Sequence, residues 1–286
     1  MLNMKLIKKK EMFKQLLNKN NNFICPICQL ELKEYNDSLM CENKHTFDIN
    51  KKGFCSLLKK QKNFSSDIYT KELFLNRRYV LEHLLYKDVY NIIAKFINKT
   101  SKDTINIFEL GSGESTHSYF IKKLININNN YCVSDLSKEA IEMSSDYLKD
   151  ELLPIICDAY NLPIKNNSVD YVIDILSPFN NKEIKRILKK DGYFIKVFPE
   201  RNYLKELRKL INLKDYDKED EVFENFAKNF EIVEIKDINY TLNLSQELSK
   251  AIIKMTPMTN NHETQTNLTE ITINLKVIIA KNKSPK

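Results

Sequence analysis

The chain of 286 residues is long enough for one full-sized α/β domain plus a small module, and its 42% hydrophobic content excludes disorder as the default. Its formal charge of +7 is concentrated, because residues 1–63 carry thirteen Lys and no Arg against six acids while the rest of the chain is balanced. That first quarter suits a polyanion, although a solvated Lys-rich face would read the same way. No apolar run reaches the roughly 18–20 residues of a membrane span. The charged first twenty residues lack a signal peptide's apolar core, and Glu11 with the absence of Arg argues against a transit peptide, so a cytoplasmic location is expected.

Residues 1–22 read as a basic amphipathic helical extension, with Leu6, Phe13, Leu16 and Leu17 near one face. Residues 23–63 hold four of the six Cys and look too short to fold without a staple. Cys25-Pro26-Ile27-Cys28, twelve residues, Cys41, three residues and His45 give C-x2-C-x12-C-x3-H. Zinc takes four soft or borderline ligands in a tetrahedron, and two close pairs on opposed loops supply them. Cys25, Cys28, Cys41 and His45 are therefore the expected ligands of one structural Zn²⁺. A buried Cys pair beside an ordinary surface His is the weaker reading, because both pairs carry ligand spacing. Cys55 lies outside the pattern and reads as a small packed residue. Residues 64–103 form a helical connector, apolar at Leu73, Val80, Leu81, Leu84 and Leu85 and again at Val89, Ile92, Ile93 and Phe96.

From residue 104 strands alternate with helices. Strands are expected at 104–110, 130–134, 153–157, 169–176 and 192–198, with helices at 115–127, 137–148 and 180–189 between them. Helices near 201–213, 218–228 and 245–255 follow, with closing strands at 231–240 and 268–281. The pattern predicts an α/β domain with a mostly parallel, Rossmann-like sheet over 104–286.

The first of these strands runs into Glu109-Leu110-Gly111-Ser112-Gly113-Glu114. Glycine at 111 and 113 allows a sharp turn and close approach of backbone to a ligand, and the chain has only four Gly. Thr116 stands where a third glycine would serve a pyrophosphate, which disfavours a dinucleotide. Glu109 suits the amino-acid end of a methionine-type cofactor, and Asp135, at the end of the next strand, suits ribose hydroxyls. Asp158-Ala159-Tyr160-Asn161-Leu162-Pro163 follows the third strand, with Val169-Asp170 later. This D-A-x-x-L-P pattern resembles class I S-adenosylmethionine methyltransferases, where the first Asp sits by the adenine amine.

Zinc ligands ahead of such a core narrow the field. From about Phe23 to Lys281 the chain resembles the RlmA-type guanine-N1 methyltransferases of large-subunit (23S) ribosomal RNA. Matching residues are Cys25-Pro26-x-Cys28, Cys41-x-x-x-His45-x-Phe47-Asp48, Gly53-x-x-x-Leu57-Leu58, Arg77-Arg78, Glu109-x-Gly111-x-Gly113-Glu114, Asp135-x-Ser137-Lys138 and Met255-Thr256-Pro257. The resemblance implies S-adenosyl-L-methionine contacts at Tyr86, Gly113, Glu114 and the position of Tyr203, where the family carries His. It also implies a hairpin of 23S rRNA as partner, a zinc module that recognises it, no membrane, and a homodimer as a possible assembly. Asp174 is the nearest candidate to accept a proton from the target base, Ser177-Pro178-Phe179 is expected to shape the base pocket, and no catalytic residue is assigned. A methyltransferase of another RNA or of a small molecule, or a non-catalytic zinc-dependent RNA-binding protein, remain alternatives.

Overall fold

Apolar runs closed by polar caps set the elements of this chain. The computed structural model describes residues 2–20, 22–60, 68–83, 85–213, 219–259 and 268–283. Lys62, Leu84 and the side chain of Leu6 lie outside them. Helix α1 (Leu2–Lys19) precedes four short strands, β1 (Lys33–Tyr35), β2 (Ser38–Met40), β3 (Thr46–Asp48) and β4 (Cys55–Ser56). The connector is two helices, α2 (Lys71–Glu82) and α3 (Lys87–Thr100). The alternating part comprises β5 (Ile105–Leu110), α4 (Thr116–Leu124), β6 (Asn129–Asp135), α5 (Lys138–Ser144), β7 (Leu152–Ile156), β8 (Val169–Ile175), α6 (Asn181–Ile187) and β9 (Leu188–Pro199). After it come α7 (Lys205–Leu210), α8 (Glu219–Asn229), β10 (Phe230–Asn243), α9 (Gln246–Lys254) and β11 (Glu270–Asn282).

Several helices begin where a side-chain oxygen takes an orphan backbone N–H. Thr70 accepts from Leu73 before α2, Ser137 from Ala140 before α5, Asn180 from Lys182 and Glu183 before α6, and Ser245 from Leu248 before α9. The helix expected over 137–148 changes pitch, since α5 ends at Ser144 and a 3₁₀ segment spans Ser145–Asp150. The strand expected at 192–198 starts earlier, at Leu188, because α6 ends at Ile187 and the chain turns directly into the sheet.

Eight strands form one sheet in the order β10-β11-β9-β8-β5-β6-β7-β4. The run from β4 to β9 is parallel, and β11 lies antiparallel to both of its neighbours, β9 and β10. Strand order reverses between β5 and β8, and open α/β sheets bind ligands outside the carboxyl ends of the strands at such a switch point. The loops after β5 and β8 therefore form the expected crevice.

The N-terminal module is built into this sheet. Its strand β4 extends the parallel edge, with Cys55 opposite Ile155 and Ser56 opposite Ile156. Phe23, Cys25, Leu32, Leu39, Cys41, Phe47 and Ile49 share one continuous core with Phe108, Leu153, Ile155 and Ile164 of the alternating part. Cys55 is fully buried and touches the Phe47 carbonyl, so it is the packed residue its position suggested. Helix α1 buries Phe13 and Leu17 in the same core. Its lysines bridge two bodies: Lys9 and Lys19 pair with Asp146 and Glu151, while Lys10 and Lys14 pair with Asp37 of the module.

Candidate active site and metal centre

The zinc pattern folds into a cluster. One ligand atom from each of Cys25, Cys28, Cys41 and His45 lies within 4.8 Å of the others. Cys25 Sγ and Cys41 Sγ stand 3.6 and 3.5 Å from His45 Nδ1, and Cys28 Sγ stands 3.6 Å from Cys41 Sγ. A tetrahedron with Zn–S bonds of about 2.3 Å has edges of roughly 3.7 Å, so the spacing fits that metal. Burial pushes the Cys25 thiol up to about 11, whereas the Leu30 N–H above all holds Cys28 down to about 6.

At the switch point a cavity of about 440 Å³ is lined by Leu110, Gly111, Ser134, Asp135, Asp158, Ala159 and Tyr160, and is closed on one side by Phe74 and Arg77 of α2. Gly111 and Gly113 both adopt positive φ, +63° and +58°. A Cβ on Gly111 would lie 2.3 Å from Ser177 Oγ, so only glycine fits between the two loops. Asp135 presents its carboxylate by accepting from Gly113 N and Ser137 N at 2.9 and 2.8 Å, and burial raises its pKa against those bonds. Behind the loop Glu114 is fully buried, and neither carboxylate oxygen has a hydrogen-bond partner among the described residues. The Arg77 guanidinium approaches it at 3.8 Å. Burial opposes the Arg77 charge, but Glu114, Tyr86, Asp135 and Tyr203 outweigh it and raise its pKa.

A second cavity of about 540 Å³ adjoins the first, and the two share Tyr69, Arg77, Leu176, Ser177 and Pro178. Phe179, Lys196, Phe198, Tyr203, Arg208 and Met255 are among its other walls. Lys196 is buried and gives one N–H to Asp174 Oδ1 at 2.7 Å and another to the Ser177 carbonyl at 2.6 Å.

Residues 23–66 match the zinc-ribbon family described as RlmA, N-terminal, and residues 108–196 match a methyltransferase domain family. YxjB of Bacillus subtilis (strain 168), an inferred 23S rRNA (guanine-N(1)-)-methyltransferase, is 31% identical over 252 residues, which span 82% of this chain and 86% of that protein. The chain belongs to the RlmA-type methyltransferase family. The 23S rRNA (guanine(748)-N(1))-methyltransferase of Streptomyces fradiae is 24% identical over 239 residues, covering 82% and 84% of the two chains. Among solved structures, YcgJ of Bacillus subtilis superposes with a TM-score of 0.45 at 18% identity, covering 68% of this chain and all of that one. PH0226 of Pyrococcus horikoshii OT3 gives 0.43 at 18% identity, covering 78% and 97%. Membership of an S-adenosylmethionine-dependent methyltransferase family accounts for an α/β sheet with a zinc ribbon at one edge.

In this RlmA-type enzyme the sequence-named residues fall into three groups. Gly111, Asp135, Asp158 and Ala159 line the first cavity together with Arg77, which Gly113 and Glu114 adjoin. Tyr86 and Tyr203 line the second cavity, where their hydroxyls are hydrogen-bonded to each other. Glu109 is not among the residues that line either cavity. It points to the opposite sheet face, fully buried, accepts from Tyr131 at 2.5 Å and meets His117 at 2.6 Å. Strand alternation decides this, since Ile105, Ile107 and Glu109 share one face while Phe108 and Leu110 share the other. Asp174 is also fully buried and is held by Lys196 and Ser177 instead of opening into a cavity. Ser177, Pro178 and Phe179 do form cavity wall, as does Met255-Thr256-Pro257. Reading the sequence missed Lys196, whose only signal was a lysine inside an apolar strand. Arg77 stood in a matched motif without a role.

Proposed function

We propose that this protein transfers a methyl group from S-adenosylmethionine to N1 of a guanine in a hairpin of 23S rRNA. The observation that carries the reading is the pair of cavities with a common wall at the switch point, one carrying the glycine loop and carboxylates, the other aromatic and cationic. In this reading Gly111, Gly113, Asp135, Asp158 and Ala159 hold the nucleoside part of the cofactor. Glu114 and Arg77 offer opposite charges to the ammonium and carboxylate of its amino-acid end, with Tyr86 and Tyr203 at the junction. Glu109 supports the loop from below. Cys25, Cys28, Cys41 and His45 hold one structural Zn²⁺.

The cofactor supplies an activated methyl on a sulfonium, so the protein's task is to orient the nucleophile and exclude water. Guanine N1 lies on the Watson–Crick edge, and a paired base must be unpaired before it can react. Residues 23–63 would grip the RNA beside the cavities, with 1–22 as a basic extension, 64–103 as a helical connector and 104–286 as the methyltransferase domain. The cytoplasm is the compartment this implies, and a homodimer is the assembly that light scattering on the purified protein would test.

Labelled S-adenosylmethionine and 23S rRNA from a strain lacking the enzyme test the reaction. Label should enter the rRNA and produce a primer-extension stop at one guanine, because N1 methylation blocks pairing. Transfer without a stop, or transfer only to a small molecule, would discard the guanine-N1 reading. Calorimetric titration with the cofactor separates a methyltransferase from a binding protein.

A further inference from the structure

The second cavity is lined by three cations, Arg77, Lys196 and Arg208, and no Asp or Glu lines it among the described residues. That matters for the chemistry. Neutral guanine carries a proton on N1, and a lone pair for attack appears there only as that proton leaves. The resulting anion places its charge largely on O6. Among the described residues this wall offers no carboxylate base at N1, whereas positive groups aimed at developing negative charge stabilise it strongly.

Lys196 is the cation best built for this. It stands opposite Asp174 in the β8–β9 register and is only 3% exposed. Two acceptors, Asp174 Oδ1 and the Ser177 carbonyl, hold two of its N–H groups, and both partners can only accept from it. Its Nζ lies 5.2 Å from the ring centres of both Phe179 and Phe198, and these faces, with Asp174, support the cationic form against burial, which lowers its pKa. Ser177, which Lys196 grips, belongs to the wall shared with the cofactor cavity.

We propose that Lys196 is a catalytic residue that binds guanine O6 and stabilises the N1 anion, with Asp174 as its positioning residue, and that the N1 proton passes to solvent. The proposal rests on the guanine-N1 reading above. The freed N1 pair forms the N–CH₃ bond while the C–S bond of the donor breaks onto sulfur, so a cationic sulfonium and a neutral base become a neutral thioether, a neutral methylated base and one released proton.

The test compares wild type, Lys196→Met, Lys196→Arg and the double variant K196M/D174N in single-turnover methylation of 23S rRNA across pH. The double variant is needed because Lys196→Met alone leaves a buried carboxylate unpaired, which destabilises strongly. Its methylation should fall roughly 100-fold near neutral pH, the scale for removing one group that stabilises a developing anion. The deficit should shrink by about tenfold per pH unit on the alkaline side, as N1 ionises without help. Lys196→Arg should retain more activity than Lys196→Met. Calorimetric affinity for S-adenosylmethionine and anisotropy-measured affinity for the rRNA should stay within a few-fold of wild type. A double variant as fast as wild type, or one whose deficit is the same at every pH, overturns the role of Lys196. If wild type itself leaves no stop at a guanine, the substrate reading fails first and takes this inference with it.

Discussion

Ser177 shows how closely the two loops at the switch point are fitted. Its Oγ lies 3.1 Å from the Leu110 carbonyl and 2.8 Å from Asp174 Oδ1, either of which can accept its one proton, and these bonds hold it beside Gly111. An alanine at 111 would meet this side chain and also take a left-handed conformation, which costs an L-residue roughly 1–2 kcal/mol. Gly111→Ala should therefore lower the melting temperature and weaken S-adenosylmethionine binding at least about tenfold, since the turn must open. The double variant with Ser177→Gly should recover part of that affinity in the same calorimetric titration. Gly113→Arg should abolish cofactor binding in a folded protein, because its Cβ would already lie 3.3 Å from Arg77 Nη1 and the added charge faces a guanidinium. Unchanged affinity in either single variant would contradict the placement of the cofactor at this loop.

At the scale of elements, β4 and α1 decide how the zinc module behaves. Read from the sequence, residues 23–63 form a small body that metal alone could order, so that losing a ligand would unfold it and spare the rest. The structure places Cys25 and Cys41 in a core shared with β5, β6 and β7, and makes β4 an edge of the main sheet. A structural zinc contributes on the order of 10 kcal/mol of folding energy, and here that energy acts on a joined body. Cys25→Ser or Cys41→Ser should remove bound zinc by elemental analysis and shift a single melting transition downward. Two separate transitions would show that the module folds independently. Cofactor affinity should fall much less than rRNA methylation, because the carboxylates and glycines of the first cavity come from other loops.

For the whole molecule, the charge asymmetry is more local than composition suggests. In α1, Lys9, Lys10, Lys14 and Lys19 are engaged with acids of the module or of the main domain, and Lys52 pairs with Glu142. Lys10 and Lys14 together hold the Asp37 carboxyl down to about 2. Lys44, Lys51, Lys59 and Lys60, in the stretch of chain that follows Cys41, are exposed and form no ion pair among the described residues. Phosphate neutralisation releases counterions, so rRNA affinity should fall steeply as salt rises. Reversing Lys51 and Lys59 to Glu should lower the slope of log affinity against log salt by about two, roughly one for each phosphate no longer neutralised. Reversing Lys10 and Lys14 should disturb stability and leave that slope unchanged. An affinity flat between low and physiological salt would remove the electrostatic account.

The sequence by itself determined what depends on local spacing. Strand and helix periods, the Cys/His pairs and the glycines before α4 are short-range signals, each written within a few dozen residues. They placed the elements to within a few residues, brought the four ligands together and identified the loops of the first cavity. Tertiary structure alone decided what depends on which face meets which. Glu109 and Leu110 are neighbours in sequence, yet the pleat sends one to the far face of the sheet and the other to the wall of the first cavity. Lys196 becomes a cation of the second cavity only because β9 lies beside β8 in a register that sets it opposite Asp174. The module joins the main sheet because β4 finds β7 about a hundred residues later, and no local pattern encodes so distant a pairing.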